Sequence, residues 1–554
     1  MIVRRTGLLP LLAVCALFAS CGGDADLPET SSEIAVVPLY DNLGDYHYPI
    51  TTSEPMAQRY FDQGLRLYYA FNHAEAIRAF NEGSRLDPRC AMCYWGTALA
   101  YGPNINAPRD AAAGAGAYQA MQQAAAAADA ASPKEQALVA ALAQRYSPDA
   151  PEDRAALDAA YSRAMQQLVE AYPDDLEART LYAEALMDLS PWEYWNQDGS
   201  PRPQTPDLLA QLETVMTAAP NHPGANHFYI HAVEAVDPQR AVDAAERLAG
   251  LMPGAGHLVH MPGHIYVRVG RYLDAIEANE HAVHADETYI REQNPAFGMY
   301  LVGYYPHNYD FLAFAASMIG RSAQAIGAAE TMISLAPQEM LREPGMTLLQ
   351  HHETRHFQLK VRFARWDEIL QATAPPEDLR HAHAMWHYAR GRALAAAGDA
   401  QEAELALAQI RETAQDPDIG TARLEFNTSG AVLAIAAEVL AGHMAAAKGD
   451  VATSTEHLRE AIRLEDGLVY GEPPEWTVPV RQELGNVLLD AGRAAEAEQV
   501  FLDDLENFPE NGWSLHGLAQ ALRAQDRVAE ADPVEARFRA VWASADVNLT
   551  ETAP

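Results

Sequence analysis

Between residues 57 and 88 the chain reads "AQRYFDQGLRLYYAFNHAEAIRAFNEGSRLDP", which has the apolar spacing of two successive amphipathic helices. Gly64 falls where the two helices make their close contact, Ala76 and Phe80 follow in the second helix, and Pro88 ends the unit. Small residues let paired helices approach, large ones fill the space between turns, and proline stops the second helix. The same pattern recurs down the chain. "AMCYWGTALAYG" supplies Ala98 and Tyr101, and "GHIYVRVGRYLDAIEANEHA" supplies Gly263, Tyr266, Gly270, Tyr272, Ala275 and Ala282. Gly320, Ala325 and Pro337, then Gly391, Gly398 and Ala403, then Gly485, Gly492, Ala497, Phe501 and Pro509 repeat the arrangement. About eleven or twelve helix pairs fit between residues 55 and 545, some short or interrupted, which predicts an all-α solenoid.

The unit resembles the tetratricopeptide repeat (TPR), whose 34 residues place small side chains at positions 8, 20 and 27, aromatics at 4, 11, 17 and 24, and proline at 32. The resemblance covers nearly all of the chain beyond its leader and implies a right-handed stack of helical hairpins. Repeats then divide into an N-terminal set (55–220), a histidine-rich central set (221–397) and a C-terminal set (398–545), with a tail at 546–554. Three aromatic-rich interruptions, at 191–203, 287–306 and 470–479, read either as helix-end caps or as a lid over a groove. The alanine-rich stretch 111–132 is strong helix former.

Histidine is concentrated. Fifteen of the twenty histidines lie between His222 and His387, where an even spread would place about six. In TPR proteins positions 2, 5, 9 and 12 of the first helix line a concave groove. With Gly270 at position 15, His257, His260 and His264 take positions 2, 5 and 9, and the same step from Gly320 gives His307 and Asp310 positions 2 and 5. His351 falls at position 2 of a further repeat. The preceding helix carries His227, His231 and Glu234 at i, i+4 and i+7, again one stripe. Neighbouring helices that each offer imidazole and carboxylate one turn apart assemble metal sites. Without thiolate, this donor set suits zinc, iron, manganese or copper. The competing expectation is a polar groove whose histidines bond one another and a peptide carboxylate. Pro262, between His260 and His264 in "GHLVHMPGHIY", forfeits one backbone bond toward Leu258 and predicts a kink or a delayed helix start. "HETRH" at 352–356 matches the H-E-x-x-H zinc pattern, but His352 and His356 fall at positions 3 and 7, away from the groove, and no third-ligand signature follows. His381, His383 and His387 also lie mostly off the stripe; His73, His443, His457 and His516 read as surface or packing residues.

The ends of the chain bear on location. Arg4 and Arg5 precede the apolar run "GLLPLLAVCALF", which is too short to span a bilayer. The run ends in "FASC", which resembles a bacterial lipobox with Cys21 as the lipid-bearing residue, although Phe18 replaces the usual leucine. Cleavage there leaves residues 1–20 as a signal peptide and 21–54 as a flexible tether. Gly22 in place of Asp implies outer-membrane delivery, facing the periplasm, and no second apolar run reads as a membrane span. Cys15 leaves with the signal, so only Cys90 and Cys93 remain, as a local disulfide or as small buried apolar residues. A net charge of −37 repels nucleic-acid phosphate and anionic lipid headgroups.

"GHLVHMPGHIY", "GANHFYIHAVE" and "PENGWSLHGLAQAL" are similar to segments of a group of large bacterial TPR proteins with exported members. The expectation is a membrane-anchored TPR lipoprotein whose groove binds a peptide, partner protein or small molecule beside a histidine–carboxylate metal site. The rivals are a metal-dependent enzyme, hydrolytic or oxidative, using the residues from His227 to Asp310 under the 287–306 insertion, and a metal store or carrier.

Overall fold

The computed structural model describes residues 37–106, 111–149, 151 and 153–549. The leader, Cys21 and the last residues of the tail lie outside the described residues. Helices run from Pro55 to Val541, and extended pairing among the described residues is limited to two isolated bridges. The protein is an all-α, TPR-type array of helical hairpins. It forms two compact units, one reaching Ile265 and including His284–Pro295, the other comprising Tyr266–Val283 and the chain from Ala296 onward.

Each unit shows why the small-and-large spacing folds this way. Helices Pro55–Tyr69, His73–Leu86 and Ala91–Ala100 clasp the ring of Phe80 between two glycines. A Cβ added at Gly64 would lie 2.6 Å from that ring, and one at Gly96 would lie 2.5 Å away. In the second unit Phe501 sits in the same way between Gly485 and Gly517, at 2.4 and 2.2 Å. Both rings are fully buried. The glycines set the interhelical distance, and the phenylalanine fills it.

Residues 37–54, expected as part of a tether, instead form an extended strap on the first unit. Tyr40 N donates to Gln63 Oε1 at 2.8 Å, Tyr60 Oη donates to the Val37 carbonyl at 2.7 Å, and Arg66 Nε donates to the Tyr46 carbonyl at 2.7 Å. Tyr48 is buried and its hydroxyl donates to Asp175 Oδ2 at 3.1 Å. Aromatic rings with polar tips give a short strap both apolar burial and hydrogen bonds, which outweigh its chain entropy.

In the second unit, helix Ser429–Ala447 is long and apolar enough to cross a membrane, contrary to the sequence expectation that no such run exists. Its position explains the composition. Val432, Leu433, Ile435, Ala436, Val439 and Leu440 belong to the buried core, so it is the central helix of that core. Its Glu438 reaches the unit's edge and meets His457 Nδ1 at 2.7 Å. Cys90 and Cys93 are joined in a disulfide and are both buried, the cysteine pairing that the sequence left open.

If the glycine clasps set the helix spacing, Gly64→Ala and Gly485→Ala each overpack a phenylalanine and lower unfolding free energy by about 1–3 kcal/mol. Thermal or denaturant unfolding measures this, and unchanged stability in both variants contradicts the clasp.

Candidate metal centre

The first unit brings its histidines together by a sequence of local devices. Helix Pro223–Val233 starts on His222, whose Nδ1 accepts from Ala225 N at 3.2 Å, with Pro223 at the first helical position. His222 Nε2 lies 2.8 Å from the Tyr46 hydroxyl of the strap, and that hydroxyl donates onward to Glu177. Gly224 then lets the helix lie against Tyr69, since a Cβ there would come within 2.3 Å of the Tyr69 ring. This approach puts His227 Nδ1 2.7 Å from the Tyr69 carbonyl oxygen. One turn further on, His231 Nδ1 lies 3.3 Å from Oε1 of Glu234, the helix C-cap.

Pro262 divides the next segment as its chemistry requires. Helix Gly256–His260 ends, Met261 turns, and Pro262 opens helix Pro262–Arg268 from its first position. His257 Nε2 comes 3.2 Å from His227 Nε2, and the donor atoms of His227, His231 and His257 all fall within 4.8 Å of one another. His260 Nε2 faces His264 Nε2 at 2.9 Å, while His264 Nδ1 sits 3.0 Å from Glu234 Oε2. His227, His231, Glu234, His257, His260 and His264 are all at most 3% exposed, so they are interior residues and do not line an open groove.

The hydrogen bonds decide which nitrogen of each ring carries a lone pair. A carbonyl oxygen only accepts, so His227 carries its proton on Nδ1 and presents a bare Nε2. Glu234 fixes His231 the same way, and the buried Nε2 of His231 has no hydrogen-bond partner. Burial, then the neighbouring His231, holds His227 well below the ordinary histidine range, and burial, then His227, does the same for His257. Burial also lowers His231. Burial alone would raise the Glu234 carboxyl, but His264 and His231 outweigh it and hold the group well below the carboxylate range. The result is neutral His227, His231 and His257 beside an ionised Glu234. Two Nε2 atoms 3.2 Å apart match ligands about 2.1 Å from a common ion with an N–metal–N angle near 100°. His231 offers a third ligand atom within 4.8 Å of the other two. Metal-bound histidines characteristically donate their other nitrogen to a carbonyl or carboxylate, and both arrangements occur here.

Two residues that sequence reasoning missed cover this cluster. Phe71 lies between helices Pro55–Tyr69 and His73–Leu86 with φ of 54°, in the left-handed region. Gly270, Gly320, Gly398, Gly449 and Gly492 hold the equivalent hairpin turns with φ of 72–80°. The turn closes through Asn72 N to the Leu67 carbonyl at 3.0 Å, the ordinary end of a helix that calls for glycine. A bulky residue there is strained by about 1–3 kcal/mol. Its ring centroid is 4.6 Å from that of His227, 5.3 Å from His257 and 6.3 Å from His231. Trp192, from the 191–203 interruption, is also left-handed, with φ of 64°, and meets the His231 ring edge-on at 5.0 Å. Its Nε1 donates to the Ile105 carbonyl at 3.0 Å, and Trp195 Nε1 donates to the Ala232 carbonyl at 2.8 Å, which anchors the interruption over the helix. Aligning "AFNHAEA" with "AGRAAEA" and "AGDAQEA" would have exposed Phe71 as the misfit.

The remaining expected residues lie in the second unit. Asp310 accepts from Arg355 Nη2 at 2.9 Å and Nε at 3.2 Å, so its carboxylate is taken up by an ion pair. His307 packs on Phe311 with ring centroids 5.1 Å apart. His351 Nδ1 faces His381 Nε2 at 3.0 Å, and its Nε2 faces the Glu475 carbonyl at 3.0 Å, a structural role for the 470–479 interruption. In "HETRH", His356 Nδ1 bonds the Glu353 carbonyl at 2.7 Å, and these residues join none of the metal-capable groups found among the described residues.

No family model and no curated protein matches the chain. Among solved structures it is similar to a human IFIT1 dimer with m7Gppp-AAAA, at 13% identity over 89% of this chain and 92% of that one, TM-score 0.31. It is also similar to yeast Tom70, at 12% identity over 90% of this chain and 93% of that one, TM-score 0.27. Scores of this size carry no argument about ligand or activity.

If Phe71 is the cover over the cluster, Phe71→Gly trades relief of strain against loss of a buried ring, about 1–3 kcal/mol each, and leaves stability nearly unchanged. Modification of His227 and His257 by an imidazole-acylating reagent, followed by mass spectrometry, then speeds up several-fold. Unchanged rates contradict the assignment.

Proposed function

We propose that this chain is a metal-holding helical-repeat protein of the bacterial cell envelope, anchored by lipid on Cys21 and facing the periplasm from the outer membrane. The carrying observation is the pair of Nδ1 contacts, His227 to the Tyr69 carbonyl and His231 to Glu234, which turn two bare Nε2 atoms toward His257. A buried nitrogen lone pair with no donor, as at His231, leaves a polar group unsatisfied that a divalent transition ion would satisfy. Neutral imidazoles bind such an ion without first losing a proton. Zinc, iron, manganese and copper all suit this donor set. Envelope location is supported by the lipobox-like "FASC" and by the Cys90–Cys93 disulfide, which an oxidising compartment permits. The outer surface of the hairpin stack then serves to engage a peptide, partner protein or small molecule, the usual task of stacked repeats.

A second reading, a metal-dependent hydrolytic or oxidative enzyme, is favoured by one observation. Two bulky residues in strained left-handed conformations, Phe71 and Trp192, both face the cluster, and such strain concentrates where a site must be shaped or gated.

The test uses tag-free full-length protein, elemental analysis and chelator treatment. The expected result is near-stoichiometric transition metal, removed by chelator with a lower unfolding temperature, and absent from a folded His231→Ala variant. Metal-free protein that gains none from zinc, cobalt, manganese or copper solutions and keeps its unfolding temperature in chelator contradicts the proposal.

A further inference from the structure

Residues 42–46 of the strap touch the approaches to both helices that carry the histidine cluster. At one end, the Asn42 carbonyl accepts from Gly254 N at 2.8 Å, just before helix Gly256–His260, which bears His257. Gly44 makes that approach possible. Its φ of 73° is left-handed, and a Cβ there would lie 2.3 Å from the Leu251 carbonyl oxygen. Leu43, between the two, is buried. At the other end, the Tyr46 hydroxyl meets His222, the N-cap of helix Pro223–Val233, which bears His227 and His231.

The Tyr46 contact sets that cap. Ala225 N donates to His222 Nδ1 at 3.2 Å, so this nitrogen carries the lone pair and the ring proton sits on Nε2. The Tyr46 oxygen accepts from His222 Nε2 at 2.8 Å, and its own O–H donates to Glu177 Oε2. Glu177 Oε1 accepts from the Tyr69 hydroxyl at 2.6 Å, and the Tyr69 carbonyl is the oxygen that faces His227 Nδ1 at 2.7 Å. One strap tyrosine therefore supports His227 by two routes, through the cap of its helix and through the residue that fixes its tautomer. Four residues of chain reach at most about 14 Å. A span that short, tied to both helix starts, limits how far they can part, and the ligand atoms of His227 and His257 meet 3.2 Å apart.

We propose that the Asn42–Tyr46 span of the strap is the positioning element of the metal centre, so that metal binding and strap docking stabilise one another. This rests on the metal-holding reading above and adds its coupling to the N-terminal strap. An ion that needs the two helices in register binds the docked form more tightly than the undocked form, and by linkage the bound ion strengthens docking by the same factor. Gly44 and Tyr46 act through other residues; neither belongs to the histidine cluster.

The experiment measures the zinc affinity of tag-free, metal-stripped full-length protein by competition with a chromophoric chelator. It also follows hydrogen–deuterium exchange of the peptides containing Tyr48 and Gly254, whose amides donate to Asp62 and to the Asn42 carbonyl, with and without zinc. The expected result is affinity lower by about 10-fold in Tyr46→Phe and in Gly44→Ala, at unchanged stoichiometry under saturating zinc. Gly96→Ala, which overpacks Phe80 away from the strap, lowers stability and leaves the affinity unchanged. In the native protein zinc slows exchange in both peptides several-fold, a readout that needs no variant. Exchange in zinc-bound native protein at the metal-free rate, full affinity in both strap variants, or an equal loss in Gly96→Ala overturns the coupling and leaves the metal-holding reading intact. No zinc bound by the native protein overturns both.

Discussion

Everything in the first unit's interior depends on where the protons of two imidazoles are held. The Tyr69 carbonyl takes the Nδ1 proton of His227, and Glu234 takes that of His231. Neutral histidine has one donor and one acceptor, so fixing one nitrogen fixes the other. A different hydrogen-bond partner at either ring would turn a donor inward and make the cluster an ordinary buried polar network. The packing serves this constraint. Gly224 admits Tyr69 close enough to reach His227, His222 caps the same helix, and the strap holds His222 through Tyr46. Burial then keeps the rings neutral, because it disfavours their charged form.

The cover is made by the same rules applied against preference. Five hairpin turns along this chain use glycine in the left-handed position and two use Ala364 and Asp526, but the first hairpin uses the bulky Phe71. That substitution costs backbone strain, and its ring gains contacts with His227, His231 and His257. Trp192 repeats the choice from an unrelated loop. A core built only for stability would place smaller residues at both turns. Smaller or polar residues take the left-handed region elsewhere, at Asn294, Ala364, Glu510 and Asp526, whereas Phe71 and Trp192 place large rings there, both against the cluster.

The helical hairpins were legible in sequence because Gly64, Phe80, Gly485 and Phe501 report directly on interhelical distance. The stripe of His227, His231 and Glu234 was legible for a similar reason, since one-turn spacing places side chains together whatever surrounds the helix. Repeat register carried less. It put His257, His260 and His264 on an open groove, and they are buried instead, His257 beneath the ring of Phe71. It also offered Asp310 as a ligand, but Arg355, distant in sequence, claims that carboxylate. The Tyr69 carbonyl was invisible by nature: a backbone oxygen has no letter in the sequence. Phe71 did leave a signal, as the one aromatic residue at a turn position that is otherwise glycine, Ala364 or Asp526, and it is found by comparing the repeats with one another.

The most direct measurement is of the tautomers themselves. Long-range proton–nitrogen correlation spectra of metal-stripped protein with nitrogen-15 in its histidines distinguish Nδ1–H, Nε2–H and imidazolium forms, with assignments from single substitutions. At pH 7 the account predicts neutral His227 and His231, both protonated on Nδ1, with Nε2 shifts that move when zinc is added. Protonation of either ring on Nε2, or a charged ring at that pH, contradicts it.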